Sequence, residues 1–417
     1  MLSYGRQTIE DDDIASVVEA LRSGMLTQGP RVEAFEEALA SYTGARYAVV
    51  CSSGTGALHL ACLAAGIGEG DGVLTSPMTF AASSNCALYT GAAPFFADID
   101  LETGNIDAER VEEALHRESR IKAVIPVHYS GLPCDMEEIS RVARNSGNDG
   151  LVVIEDACHA LGASWEGGNG KREMVGAGQY SDMTVFSFHP VKAITTGEGG
   201  AITTNDTMLY ERLKLFRNHG ITKNPEAFLD KSGKDHRWHC EMQALGFNYR
   251  LSDIQCALGI SQLKKIDRFI ALRTGIAGDY SAALTKYPFI KTPRKSGKRK
   301  SAHHLYPIRI SFDDMGVSKA DWFNLMAGIG FGLQVHYIPV HLHPYYRDKF
   351  GFKPGDFPRS ERFYAEEVSL PIYPGLTPEE AGGVVEALIS TLSCASSARL
   401  KAPLAVSRKD MRASPAI

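Results

Sequence analysis

Phe186-Ser-Phe-His-Pro-Val-Lys192-Ala-Ile-Thr-Thr-Gly-Glu-Gly-Gly200 sets one lysine in a Gly/Thr-rich turn between two strand-like runs, 183–188 and 200–204. Upstream, Glu155-Asp-Ala-Cys-His159 follows another apolar run, 151–154. A lysine amine condenses with an aldehyde, and a carboxylate at a neighbouring strand end keeps a pyridine nitrogen protonated. Together they are the pair that pyridoxal phosphate (PLP) chemistry needs, with the ring as an electron sink. Each residue alone has a plainer explanation. Most lysines in turns are simply solvated, Asp156 could cap a helix begun by Ala-Cys-His-Ala-Leu, and a single His159 is as consistent with a satisfied core histidine.

Cys51-Ser-Ser-Gly-Thr-Gly-Ala-Leu58 leaves a strand and opens a helix. Free N–H groups and the positive end of the helix make an anion site there, suited to a phosphate ester. The alternative is an ordinary turn in which Ser or Thr caps the helix. Two helices are expected before it, the first followed by Gly24, the second running from Pro30 to Gly44. Strand-like runs at 47–51, 72–76, 94–97, 121–127 and 151–154 then alternate with helical periodicity at 108–116 and 136–145. That alternation predicts an α/β fold with a mostly parallel sheet covered by helices. Ligands of such sheets sit at the carboxyl ends of the strands, where Ser53, Asp156 and Ser187 would meet.

A length of 417 residues implies two or three domains at about 150 residues each. The expected division is a large domain over 1–251, linking helices and a basic loop over 252–302, a smaller α/β domain over 303–393, and a disordered Ala/Ser-rich tail over 394–417. The basic loop carries Lys291, Arg294, Lys295, Lys298, Arg299 and Lys300. Such a run is usually a solvated surface, although a local basic cluster can hold a small anion. A net charge of −5 gives no reason to expect nucleic acid or an anionic membrane as partner. The N-terminus lacks a signal-peptide profile, and no stretch approaches the roughly 20 apolar residues of a membrane span. Eight scattered cysteines without C-x-x-C spacing suggest reduced thiols and a cytoplasmic location. The His-rich segment 335–346 is interrupted by prolines and has no matching acid cluster, which argues against a metal site.

With these residues in view, the chain resembles the DegT-type nucleotide-sugar aminotransferases, PLP enzymes of fold type I. The markers are Ser53-Gly-Thr55, Thr79-Phe80, Ala97-Asp-Ile-Asp100, Pro126-Val-His128, Glu155-Asp156, the segment 186–200, Arg217-Asn-His-Gly220 and Gly246-Phe-Asn-Tyr-Arg-Leu-Ser-Asp253. Some members carry histidine in place of the lysine and are dehydratases; Lys192 points to a transaminase. The resemblance implies PLP as cofactor, with Lys192 as its covalent attachment and proton carrier and Asp156 as partner of the pyridine nitrogen. Phe80 would stack on the ring and His159 would lie beside it or its phenolic oxygen. Ser53, Gly54, Thr55 and Ser187 would hold the phosphate, joined by Asn248 from the other subunit of a homodimer with shared sites. Arg250, Tyr337 and His341 are candidates for the nucleotide sugar. The segments 242–254 and 334–346 look most like members that pass an amino group from L-glutamate to C4 of a UDP-linked 4-keto sugar. Another nucleotide sugar, or a non-catalytic protein of the same fold, are the alternatives; the latter would fit loss of Lys192 or Asp156, and both are present.

Overall fold

The short β-branched runs of the N-terminal half assemble into one seven-stranded sheet. It is seen in a computed structural model that describes residues 1–400 apart from 149, 167–169, 171 and 295, with side chains to 393. The strands are β1 (Tyr47–Cys51), β2 (Gly72–Thr75), β3 (Ala93–Phe96), β4 (Ile121–Ile125), β5 (Val152–Asp156), β6 (Met183–Ser187) and β7 (Gly200–Thr204). Their order is β1-β7-β6-β5-β4-β2-β3. Pairing is parallel except at β7, which runs antiparallel to both β1 and β6. The central strands read as unbroken apolar runs because helices cover both faces. Ile121, Val124 and Ile125 of β4 are wholly buried, and each such side chain removed from water contributes about 1.5–3 kcal/mol.

The helices of this region are α1 (Asp11–Arg22), α2 (Pro30–Thr43), α3 (Gly54–Ala64), α4 (Ala82–Tyr89), α5 (Ala108–Arg117), α6 (Met136–Asn145), α7 (Thr207–Arg217) and α8 (Asp253–Leu263). On one face α3, α4 and α7 close over Val49, Val73, Ile125, Val185 and Ile202. On the other, α2 and α8 bring Phe35, Leu39 and Cys256 onto Val50, Phe186 and Ala201. Buried Asp253, at the start of α8, accepts the Gly29 N–H at 2.7 Å and the Arg31 N–H at 3.1 Å. Those amides begin α2, where a helix has no partners of its own to offer.

The stretch 252–284, read from sequence as linking helices, holds two. α8 packs on α1 and α2, whereas α9 (Ile266–Leu284) packs against the C-terminal helix Pro378–Leu400. At the break, Lys265 turns its ammonium onto Asp13 at 2.7 Å, tying the junction to the first turn of α1. The smaller body is built on β8 (Ile290–Lys291), β9 (Tyr306–Ile310) and β10 (Glu367–Leu370), antiparallel with β9 in the middle. The N-terminus joins it as well, because Leu2–Ser3 pairs with Phe331–Gly332. Part of the basic loop docks the other way: Arg299–Lys300 pairs with Ser164–Glu166 of the large body. The final helix runs to Leu400, past the expected end of folded structure at 393; the remainder of the expected tail, 401–417, lies outside the described residues, as does Lys295. Among the described residues no helix is long and apolar enough to cross a membrane.

Candidate active site

Asp156 is the last residue of β5, at the strand end where the sequence placed it. Its Oδ2 accepts the Ser83 hydroxyl at 2.6 Å and its Oδ1 the Cys158 N–H at 3.1 Å, so the carboxylate is held at both oxygens. Ser83 in turn shares a hydrogen bond of 2.7 Å with Thr79. Beneath the strand end, the His128 Nδ1 accepts the Cys134 N–H at 3.0 Å, which leaves the ring proton on Nε2, 2.7 Å from Glu155. Thr184 also donates to Glu155 at 3.1 Å. The backbone of His128 donates to the Asp156 carbonyl at 3.0 Å, so this buried network braces the chain that carries Asp156.

Lys192 lies in the turn from β6 to β7. The turn is pinned by its own threonine: Thr195 donates to the Phe188 carbonyl at 3.1 Å and accepts the Gly197 N–H at 2.9 Å. Burial pushes the Lys192 ammonium below the ordinary lysine value, an effect only partly opposed by Cys158 and Asp156. Lys192 and Asp156 line one cavity of about 530 Å³.

The same cavity collects Ser53, Gly54, Thr55, Phe80, His159, Ser187 and Tyr337 from the sequence candidates. Ser53 caps α3, its hydroxyl accepting the Gly56 N–H at 3.0 Å. The capping alternative is therefore realised, and the helix start still opens onto the cavity. Gly54 has a steric reason: a Cβ there would stand 2.8 Å from the Ser187 Cβ and 3.1 Å from the Cys158 Sγ. Only glycine lets α3 come this close to the end of β6. Phe80 is 60% exposed, its ring 6.1 Å from that of Tyr337.

His159 is buried, with Nε2 3.0 Å from the Tyr337 hydroxyl and its ring centroid 4.4 Å from that of His304. Burial first, then Lys192, His336 and His128, hold its imidazole well below the usual histidine range, so the ring is neutral. The Tyr337 hydroxyl serves either tautomer. His159 Nδ1 is buried and has no hydrogen-bond partner, which makes it the open position for a ligand.

Three candidates lie elsewhere. Arg250 donates to Asn218 at 2.6 Å, and Asn248, exposed, pairs along the backbone with the same Asn218; neither lines the cavity. His341 is fully buried, its Nε2 3.0 Å from Glu361 and its ring 4.8 Å from that of Phe357, so in this chain it packs the core and does not reach the cavity. Sequence reasoning missed Ser83, His304 and Tyr4, which line it.

The residues present fit PLP. Lys192 suits an aldehyde, Asp156 a pyridinium, and the α3 start with Ser187 a phosphate. The free Nδ1 of His159 awaits a polar partner, and the missing Cβ at Gly54 keeps the phosphate end open.

The family described as "DegT/DnrJ/EryC1/StrS aminotransferase family" matches residues 7–389. The chain is 39% identical over 388 residues to the spore coat polysaccharide biosynthesis protein SpsC of Bacillus subtilis, covering 93% of this chain and 96% of that one. It is 39% identical over 393 residues to the UDP-4-amino-4,6-dideoxy-N-acetyl-beta-L-altrosamine transaminase of Campylobacter jejuni, covering 94% and 98%. Among solved structures, Helicobacter pylori PseC, an aminotransferase involved in the biosynthesis of pseudoaminic acid, superposes with a TM-score of 0.84 at 32% identity, over 94% of this chain and 99% of that one. The PLP form of Spr1654 from Streptococcus pneumoniae gives 0.84 at 26% identity, over 94% and 99%. The chain belongs to the DegT/DnrJ/EryC1/StrS aminotransferase family and is a pyridoxal phosphate-dependent aminotransferase.

Proposed function

We propose that this enzyme moves an amino group from L-glutamate to C4 of a UDP-4-keto-6-deoxy-HexNAc, giving UDP-4-amino-4,6-dideoxy-N-acetyl-β-L-altrosamine for pseudaminic acid biosynthesis. The sugar is supported by the 39% identity, over 94% of the chain, to a transaminase named for that product. Equal identity to SpsC favours one other reading, in which the same cofactor residues serve a different nucleotide sugar of a surface polysaccharide.

Bound PLP supplies an aldehyde that takes up nitrogen and a ring that spreads the electron pair left when a Cα proton departs. The protein supplies the rest. Lys192 holds the cofactor at rest. Once displaced, its amine would take the proton from the donor and return it at the adjoining carbon, a task suited to a lysine whose ammonium burial pushes below the ordinary value. Asp156 keeps the pyridine nitrogen protonated, and Ser83 and the Cys158 N–H prevent the carboxylate from turning away. Neutral His159 offers Nδ1 to a ring substituent while Tyr337 holds its other nitrogen. Ser53–Thr55 and Ser187 receive the phosphate, and a homodimer brings Asn248 of one subunit to the phosphate of the other. Glutamate leaves as 2-oxoglutarate before the keto sugar enters, so the cycle is ping-pong, run in the cytoplasm.

Mass spectrometry of PLP-loaded enzyme given glutamate and each C5 epimer of the UDP-4-keto sugar tests the assignment. Amination of the L-arabino epimer is expected. Preference for the other epimer moves the enzyme to another nucleotide sugar, and no product from either, with 2-oxoglutarate still formed from glutamate, removes the sugar assignment.

A further inference from the structure

The basic run near residue 300 has no part in the reaction above, yet it lines a cavity of about 780 Å³, larger than the catalytic one. Six cationic side chains face this cleft, Arg172, Lys291, Arg294, Arg299, Lys300 and Arg309, against only two carboxylates, Glu102 and Asp267. Both carboxylates are already engaged: Glu102 takes Arg309 at 2.6 Å, and Asp267 takes the Tyr42 hydroxyl at 2.9 Å. Arg299 donates to the Pro133 carbonyl at 3.1 Å and to Ser296 at 3.2 Å. Among the described residues no carboxylate pairs with Arg172, Lys291, Arg294 or Lys300. The catalytic cavity, by contrast, sets Lys192 against Asp156 and Glu198. In a chain of net charge −5, four uncompensated cations on one concave surface raise the local concentration of anions.

We propose that this cleft binds a small polyanion carrying a diphosphate group, and that its occupancy is felt at the catalytic cavity through a wall the two share. Arginine forks at 172 and 294 suit phosphate oxygens in pairs, and the lysines at 291 and 300 add mobile point charges. The volume lies within the roughly 300–1,000 Å³ of small-molecule sites. The wall is one residue thick: His303 lines the cleft and His304 lines the cavity, where its ring packs on His159. It is clamped by Ala302 N–H to the Gly131 carbonyl at 3.0 Å and Leu305 N–H to the Ser130 carbonyl at 3.2 Å. A Cβ on Gly131 would lie 2.8 Å from the His159 carbonyl oxygen and 3.1 Å from the His303 nitrogen, so the wall has no slack in which to absorb a shift.

The test is calorimetric titration of PLP-loaded enzyme, its phosphate cradle thus filled, with inorganic pyrophosphate and separately with ADP. Saturable binding that weakens with added salt is expected. The combined variant Lys291→Gln, Arg294→Gln, Lys300→Gln is expected to bind pyrophosphate at least about tenfold more weakly, with unchanged turnover in the absence of the anion. Single reversal at Lys300→Glu should weaken it in the same direction. Tighter binding of ADP than of pyrophosphate assigns the site to a nucleotide; equal binding assigns it to the diphosphate alone. Absence of saturable binding by wild type below about 1 mM, or equal binding by wild type and the triple variant, overturns the site. Pyrophosphate is further expected to shift the KM for the keto sugar in wild type and not in the triple variant; an unchanged wild-type KM overturns the shared wall as a link.

Discussion

Asp156 and His159 are 5% and 6% exposed, held by hydrogen bonds from a helix, a turn and a remote tyrosine. Asn248 and Arg250 sit on a segment where Leu245 is 76% and Met242 62% exposed, and their own contacts go back to Asn218. The difference is one of construction. The groups proposed to act on the cofactor ring are set inside one chain before any ligand arrives, which suits chemistry that depends on fixed electrostatics. The outer segment carries apolar side chains in water next to polar ones that stay outside the catalytic cavity of their own chain. That is the arrangement expected if a second copy covers it, as the proposed homodimer requires.

Lys192→Ala tests the buried side most severely. Turnover is expected to fall by roughly 10³-fold or more, with loss of the visible absorbance of the loaded enzyme. Activity within tenfold of wild type would remove Lys192 from its role. Asp156→Asn should keep PLP bound but lower the rate of 2-oxoglutarate formation by about 10²-fold, since a neutral amide no longer holds the ring nitrogen protonated. Near-normal turnover in that variant would break the assignment.

The outer side is tested by mixing. Lys192→Ala and Asn248→Ala proteins, each impaired alone, should on exchange of subunits recover about a quarter of wild-type sites, because a mixed dimer carries one intact site in two. No recovery after demonstrated exchange would place Asn248 outside the partner's site.

The smallest effect is on stability. Burial lowers His336 to about 3 and His303 to about 4. Between those values and the unfolded value near 6.5, the unfolded chain binds protons that the folded rings refuse. The contribution of these two rings is therefore full above about pH 6.5 and declines on acidification, by about 1.4 kcal/mol per pH unit for each ring. Urea midpoints at pH 7 and pH 5 measure this, and equal midpoints would show that the rings are not buried neutral.

Much of the fold and half of the site were legible because they are local. Apolar five-residue runs alternating with amphipathic helices specify a covered parallel sheet, and a residue ending such a run must stand at the sheet's carboxyl edge. This is how Ser53, Asp156 and Ser187 could be brought together from spacing alone. The glycine of Ser53-Gly-Thr55 was visible as a turn, but its collision with Ser187 was not. Where a contact spans 178 residues, as between Tyr337 and His159, or 73, as between Ser83 and Asp156, no pattern in the chain marks it. His341 shows the opposite case: the family resemblance suggested a contact to the nucleotide sugar, and packing turned it to Glu361 and Phe357.

By itself, then, the sequence determined the strand and helix alternation, the lysine turn, the acid at the strand end and the glycine-rich helix start, because each follows from hydrogen bonding and side-chain periodicity within a few residues. Only the tertiary structure decided which distant groups lock Asp156 and His159, that 252–284 is two helices serving two bodies, and that the basic loop lines a cleft behind the catalytic one. Those depend on how far-separated segments pack, and burial and charge pairing act on neighbours in space whatever their distance along the chain.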